Sequence, residues 1–176
     1  MSERAVLISI QPKWCELVAN GKKTIEVRKT RPKLETPFKC YIYCTKENSI
    51  YDMLLISNEK GFEKSVSFGD YRNHGFGWEI GNCNVIGEFV CDNILHSNEN
   101  AFIGNTPLTQ YVLKSSCLTM EEINQYRQGK NIYAWHITDL KIYDKPKELS
   151  EFTNLKGEPI KRAFQSWGYV KENADD

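Results

Sequence analysis

With 176 residues, the chain has the length of a single domain and can bury a sizeable core. It is 40% hydrophobic and 26% charged, as ordinary water-soluble globular proteins are, and no apolar run approaches the roughly 18 residues that span a membrane. Lysine and arginine together number 23, as do aspartate and glutamate, and this zero net charge argues against a protein that coats nucleic acid generally.

The first predicted strand covers residues 6–10, and a helix follows it. Pro12 suits the first turn of a helix, apolar residues recur from Trp14 at helical spacing, and Gly21 stands where a helix C-terminus is capped. These signals predict a strand and a helix at the start of the domain.

The segment after this helix alternates in period two, which predicts a second strand. Ile25 and Val27 fall on one face of that strand, which we expect to be buried. Glu26 and Arg28 fall on the other face, and Lys23 lies in the turn just before the strand. The alternative is that Glu26 and Arg28 form an ordinary ion pair on a solvated strand, which would contribute less than about 1 kcal/mol.

Positive charge is concentrated between residues 11 and 40. This stretch contains eight lysine or arginine residues, among them Lys13, and three glutamates, so it carries an excess of five positive charges and the remainder of the chain is five negative. One basic segment in a neutral protein indicates a local anion-binding site and predicts a positive patch at its mouth. A solvated strand and loop with surface lysines is an equally good interpretation.

The middle of the chain contains a predicted strand at 39–45, with Tyr41 and Tyr43 on one face. Residues 46–84 follow with many glycines, and we expect the part from Gly69 to Gly81 to be mobile and to cover one side of a cleft. The later predicted elements are a strand at 85–95, a helix at 107–113, a helix from the capping box of Thr119 and Glu122 to about Gln128, and a strand at 132–143.

Strands outnumber helices and do not alternate with them, which predicts an α+β fold, a small, mostly antiparallel β-barrel or curled sheet with flanking helices. We expect one domain over residues 1–170 and a disordered acidic tail at 171–176.

Six cysteines are present, and no pair has CxxC spacing. Cys40 and Cys44 lie four residues apart on one predicted strand, too far apart to hold one metal easily. We therefore expect six reduced thiols, no metal and no cofactor. Because no export signal is visible either, we expect a cytoplasmic protein without a membrane partner.

The group Lys23, Glu26 and Arg28 is the strongest candidate site. A guanidinium can bind a phosphate or carboxylate with two hydrogen bonds, and an ammonium supplies a compact charge. The carboxylate can hold both cations, accept a hydrogen bond from a base edge, or act as a general base if its pKa is raised. Trp14 can stack a base, and Tyr43 can line the cleft, although core packing is the commoner role of such residues.

Residues 21–29 match the G-x-K-x-x-E-x-R signature of the ASCH family at Gly21, Lys23, Glu26 and Arg28, with Gln11-Pro12-Lys13-Trp14 upstream of it. The chain therefore resembles an ASCH domain. That resemblance implies a PUA-like β-barrel with a cleft between the first helix and the barrel, lined by Lys23, Glu26 and Arg28.

The resemblance also implies a function in binding RNA or a nucleotide-like small molecule, with Trp14, Lys13 and Tyr43 as further ligand contacts. The alternative is a hydrolase acting on a modified nucleoside or on RNA, since some small family members are amidohydrolases of an acetylated cytidine. Under that reading Lys23 and Glu26 would be catalytic. Glu26 stands where those enzymes have a threonine.

Overall fold

The computed structural model describes residues 4–58, 64–74, 76–99 and 102–173. The strands and α-helices within these residues are β1 Arg4–Ile10, α1 Pro12–Ala19, β2 Ile25–Arg28, β3 Phe38–Cys44, β4 Met53–Ser57, β5 Ser65–Gly69, β6 Trp78–Ile80, β7 Asn84–His96, α2 Pro107–Ser116, α3 Met120–Arg127, β8 Tyr133–Glu148 and β9 Trp167–Lys171. Short 3-10 helices cover Tyr71–Asn73 and Leu149–Glu151.

Six of the strands form one curled sheet in the order β2-β8-β7-β3-β1-β9. Only β1 and β3 pair in parallel, and the other neighbours in this sheet are antiparallel. The predicted α+β class and mostly antiparallel curled sheet are therefore confirmed. Strand β9, which the sequence did not predict, completes the sheet beside β1.

The curled sheet is a half-barrel whose edge strands, β2 and β9, are not paired by a backbone ladder. Hydrogen bonds that involve side chains instead connect the end of β2 and the loop after it to β1, to Ser166 and to β9. We call this junction the seam. Its four hydrogen bonds run from Arg28 Nη2 to the Ser9 carbonyl (2.7 Å), from Arg28 Nη1 to Ser166 Oγ (3.3 Å), from Trp167 Nε1 to Thr30 Oγ1 (3.0 Å) and from the Lys33 backbone N–H to the Tyr169 hydroxyl (2.7 Å).

Each face of the sheet has its own apolar cluster. Cys40, Ile42 and Cys44 of β3 face a core that also contains Cys15 and Val18 of α1. The opposite face of β3 packs in a second cluster around Phe152. A third cluster joins β2 and β8 to α2 and α3. Helix α1 thus covers one face of the half-barrel, and α2 and α3 lie beside β2.

A small second sheet, in the order β5-β4-β6, occupies much of the region that the sequence left unassigned. Strands β4 and β5 pack against α1. Gly75 of the predicted mobile stretch lies outside the described residues, and mobility of that stretch stays a prediction.

At the C-terminus, Lys171 ends β9, and the backbone N–H of Asn173 donates to the Tyr41 hydroxyl at 2.9 Å. Residues 174–176 of the predicted tail lie outside the described part of the chain. Across the described ranges, no helix is long and apolar enough to cross a membrane.

Candidate functional site

A cleft of about 620 Å³ opens between α1, α3 and the ends of β1 and β2. Its floor is formed by Lys23, Glu26 and Arg28, which we call the floor cluster. Trp14 of α1 and Tyr126 of α3 contribute aromatic side chains, and the amides of Gln11, Gln125 and Gln165 add polar groups.

The floor cluster is one carboxylate held between two cations. Glu26 Oε2 lies 3.2 Å from Lys23 Nζ, and Glu26 Oε1 lies 2.9 Å from Arg28 Nη2. All three residues are buried, with exposed fractions of 3% for Lys23, 7% for Glu26 and 8% for Arg28. The alternative of a solvated strand face is therefore wrong.

Backbone groups fix both cations in place. The turn after α1, in which Gly21 adopts a φ of 70°, returns the Lys23 backbone N–H to the Leu17 carbonyl. Lys23 Nζ then donates to the carbonyl of Ser116, at the end of α2, at 2.8 Å. Arg28 is held across the seam by Ser9. The two cations are thus anchored by three separate parts of the fold.

Glu26 is ionised in this setting. Its burial acts to raise the pKa, but the charges and hydrogen bonds of Lys23 and Arg28 outweigh burial and hold the pKa below the ordinary glutamate value. The floor cluster therefore carries a net charge of one positive unit. Arg28 Nε is buried and has no hydrogen-bond partner among the described residues.

The aromatic side chains of the cleft are each close to a lysine. Lys13 Nζ lies 4.3 Å and Lys23 Nζ 5.2 Å from the centre of the Trp14 ring, and Lys29 Nζ lies 4.9 Å from the centre of the Tyr126 ring. Such cation–π contacts leave aromatic faces in a positive environment.

A second carboxylate, Glu122, lines the cleft on α3 but is occupied by the capping box. Its Oε2 accepts from the Thr119 backbone N–H at 2.8 Å, and this hydrogen bond lowers the pKa of Glu122. Neither carboxylate of the cleft is thus poised as a general base near neutral pH. No group of three or more His, Cys, Asp or Glu side chains in the described ranges is placed to hold a metal.

The structure brings together four of the six predicted site residues, namely Trp14 and the floor cluster. Lys13 lies next to them, over the Trp14 ring, without lining the cleft itself. Tyr43 is elsewhere, and its prediction as a ligand contact is wrong. Alternation along β3 places Tyr43 with Tyr41 on the face away from α1, where both pack in the second cluster.

Sequence reasoning missed the α3 wall of the cleft, with Glu122, Gln125 and Tyr126. These residues are about a hundred positions from the signature. The capping box predicted their helix but not that this helix packs beside the floor cluster. The segment before β9 also contributes to the cleft, through Gln165. By contrast, no described residue between 46 and 84 lines the cleft, which contradicts the predicted cover by Gly69–Gly81 for the part of that stretch that the structure describes.

Comparisons with known proteins agree with this fold. An ASCH domain profile matches residues 8–159. The structure is similar to crystal structures of ASCH from Zymomonas mobilis, with 16% identity, a TM-score of 0.57 and coverage of 97% of this chain and 90% of that one.

A serine-to-alanine variant of the same bacterial protein gives 16% identity, a TM-score of 0.59 and coverage of 96% and 89%. A tyrosine-to-phenylalanine variant of that protein gives 15% identity, a TM-score of 0.57 and coverage of 96% of this chain and 91% of that one. A search of curated proteins finds no match. At these identities the structural likeness shows the fold alone, and the profile match over most of the sequence shows that the chain belongs to the ASCH domain family.

Proposed function

We propose that the cleft binds one nucleotide unit, either as a free nucleotide or as one residue of an RNA. The observation that carries this proposal is the floor cluster, a buried group with a net positive charge at the base of a cleft of about 620 Å³. Cavities that enclose small ligands measure about 300–1,000 Å³, so one nucleotide unit is of suitable size.

The chemistry of the cleft also suits a nucleotide. Trp14 and Tyr126 offer aromatic faces on which a base can stack, whatever its identity. The glutamine amides both donate and accept hydrogen bonds and so match the edge of a base. Arg28 and Lys23 supply positive charge for a phosphate or a carbonyl oxygen.

Membership of the ASCH family supports an RNA-related ligand over an unrelated anion. The free state of all six cysteines supports the cytoplasmic location proposed from the sequence.

Binding is favoured over hydrolysis by the state of Glu26. A carboxylate that is ionised, with a lowered pKa and two cationic partners, orients those cations well and accepts a proton poorly. The rival function, hydrolysis of an acylated nucleoside with Lys23 and Glu26 as the reacting pair, would need Glu26 to leave at least one partner when the substrate enters.

Calorimetric titration with ribonucleoside monophosphates and a short single-stranded RNA tests the proposal. We expect saturable binding by the wild type and a loss of about 1–3 kcal/mol in Arg28→Lys, which keeps the charge but not the two-pronged donor group. Circular dichroism establishes that the variant is folded.

Incubation with acetylated cytidine, followed by chromatography, tests the rival function. Turnover by the wild type that disappears in Glu26→Gln would replace binding by hydrolysis as the function. Absence of binding to every nucleotide and to RNA by the wild type would overturn the proposed function.

A further inference from the structure

A second concavity, of about 640 Å³, lies on the far side of the segment that precedes β9. Lys161, Arg162, Phe164 and Tyr169 line it, together with residues of the loop 154–160. It is adjacent to the cleft, because Phe164 lines the concavity and the next residue, Gln165, lines the cleft.

The loop 29–33 runs from one depression to the other. At its start, Lys29 Nζ is 4.9 Å from the ring of Tyr126, which lines the cleft. At its end, the backbone N–H of Lys33 donates to the hydroxyl of Tyr169, which lines the second concavity. The loop therefore connects the two depressions along the seam.

Positive charge dominates this surface. Residues 29–33 and 156–171 contain seven lysine and arginine residues and one carboxylate, Glu158. That carboxylate accepts from the Asn154 amide at 2.8 Å. Six of the seven cations are exposed, all except the half-buried Lys171, and none of the seven has an ion-pair partner among the described residues.

The lining of the cleft carries less net charge than this surface. Its four charged lining residues are two cations and two carboxylates, so its lining is neutral as a whole. A neutral lining with a positive floor suits a single base with its sugar and one phosphate, whereas a chain of phosphates needs the charge that the neighbouring surface provides. Two half-buried aromatic residues on β9, Trp167 and Tyr169, lie along that surface with ring centres 5.5 Å apart.

We propose that this surface, from Lys29 to Arg162, carries the continuation of a single-stranded RNA that has one nucleotide in the cleft. The inference rests on the proposed function and specifies its ligand as an RNA strand instead of a free nucleotide. Basic residues of this surface contact successive phosphates of the RNA. The aromatic residues Trp167 and Tyr169 of β9 offer a platform on which a base outside the cleft can stack.

Removal of Lys161 and Arg162 tests the proposal, because both side chains are exposed, neither has an ion-pair partner in the described part of the chain, and their loss leaves the floor cluster intact. The double variant Lys161→Ala, Arg162→Ala is compared with Lys141→Ala, Lys145→Ala, which removes the same charge from exposed positions of β8. Each protein is titrated with a ribonucleoside monophosphate, with single-stranded RNA of about six nucleotides, and with DNA of the same sequence.

We expect the first double variant to bind the RNA roughly tenfold more weakly and the control to bind it as the wild type does. The slope of log affinity against log salt should become shallower by about 1.4, since each phosphate contact of a single strand contributes about 0.7. Affinity for the monophosphate should not change.

Equal RNA affinity of the wild type and of Lys161→Ala, Arg162→Ala would overturn the proposed RNA-binding surface while leaving nucleotide binding in the cleft in place. Equal wild-type affinity for RNA and DNA would overturn RNA as the specified partner. If neither the monophosphate nor the RNA binds the wild type, the proposed function is refuted, and the proposed RNA-binding surface with it.

Discussion

Glu26 shows how a buried charge is kept ionised when its partners are arranged before the ligand arrives. Two cations face one carboxylate, and each cation has a further backbone acceptor, Ser116 for Lys23 and Ser9 for Arg28. Burial of such a group is costly unless every charge is paired and hydrogen-bonded. The floor cluster therefore depends on all three members, and loss of the carboxylate leaves two buried cations facing each other.

The pH dependence of stability should identify Glu26 as an ionised group. Because its folded-state pKa is lowered, its contribution is fully present above the ordinary value of 4.5 and is lost as the pH falls through the folded-state pKa. We expect Glu26→Gln to reduce the free energy of unfolding at pH 7 by about 3 kcal/mol or more. That difference from the wild type should shrink steadily below pH 4.5.

Urea unfolding of both proteins across this pH range measures the difference. Other carboxylates with lowered pKa, Asp70 and Asp144 among them, are present in both proteins, so their contributions cancel in the difference between the two unfolding free energies. A difference that stays constant into strong acid would contradict an ionised Glu26.

Trp14 should distinguish recognition of the base from recognition of the phosphate. Trp14→Leu retains apolar bulk on α1 but removes the aromatic face in the cleft. We expect affinity for a ribonucleoside monophosphate to fall by about 1–3 kcal/mol, as stacking contributes, and affinity for ribose 5-phosphate to stay unchanged. Calorimetry with the two ligands makes the comparison, and an equal loss for both would show that Trp14 acts on the phosphate through Lys13 or Lys23.

Among the elements, α3 links local sequence signals to the site. Thr119 Oγ1 accepts from the Glu122 backbone N–H at 3.1 Å, and the Glu122 carboxylate accepts in return from the Thr119 backbone N–H, as the spacing of the two residues predicts. The helix then presents Tyr126 and Gln125 to the cleft. A cap that touches no ligand thus supports one wall of the site.

Thr119→Ala should consequently weaken both stability and binding. We expect the free energy of unfolding to fall by about 1 kcal/mol and nucleotide affinity to fall with it as the first turn of α3 frays. The matched control is Thr106→Ala, which removes the side-chain cap of α2. No described residue of α2 lines the cleft, so thermal unfolding should show a similar loss while titration shows wild-type affinity. Equal affinity losses in both variants would argue against a specific role of α3.

The elements that the sequence predicted are those that local signals define. Alternation identified β2, and Pro12 and Gly21 marked the two ends of α1. Strand β9 was missed because Gly168 interrupts its pattern. A Cβ at position 168 would lie 2.3 Å from the Phe164 ring, so the close packing of this ring on the strand favours glycine there. The partner of β9 is β1, about 160 residues earlier, which no local pattern reveals.

The same distinction explains the site predictions. The floor cluster lies within six consecutive residues, so spacing alone brought Lys23, Glu26 and Arg28 together. For Tyr43, alternation correctly assigned the face shared with Tyr41 but not which face of β3 lies toward the cleft. That choice is made by the packing of α1 on the other face, which is a property of the whole sheet.

At the scale of the whole molecule, burial should decide the reactivity of the six free thiols. Four are buried, and burial raises the pKa of Cys15 and Cys40, and that of Cys91 to about 12. We expect rapid alkylation of Cys83, which is exposed, and slower alkylation of the partly exposed Cys117 in the folded protein. Mass spectrometry should show six labels after unfolding without reductant; fewer would contradict the absence of disulfides.

The seam makes the curled sheet sensitive to what occupies the cleft. Arg28 is at once a floor residue and the donor that spans from β2 to β1 and to Ser166, so a ligand that immobilises its guanidinium also restrains both sheet edges. Ligand binding in the cleft should therefore make local opening of β9 less favourable. Amide hydrogen exchange should slow in β2 and β9 on saturation with ligand while β3, in the centre of the sheet, stays as protected as before.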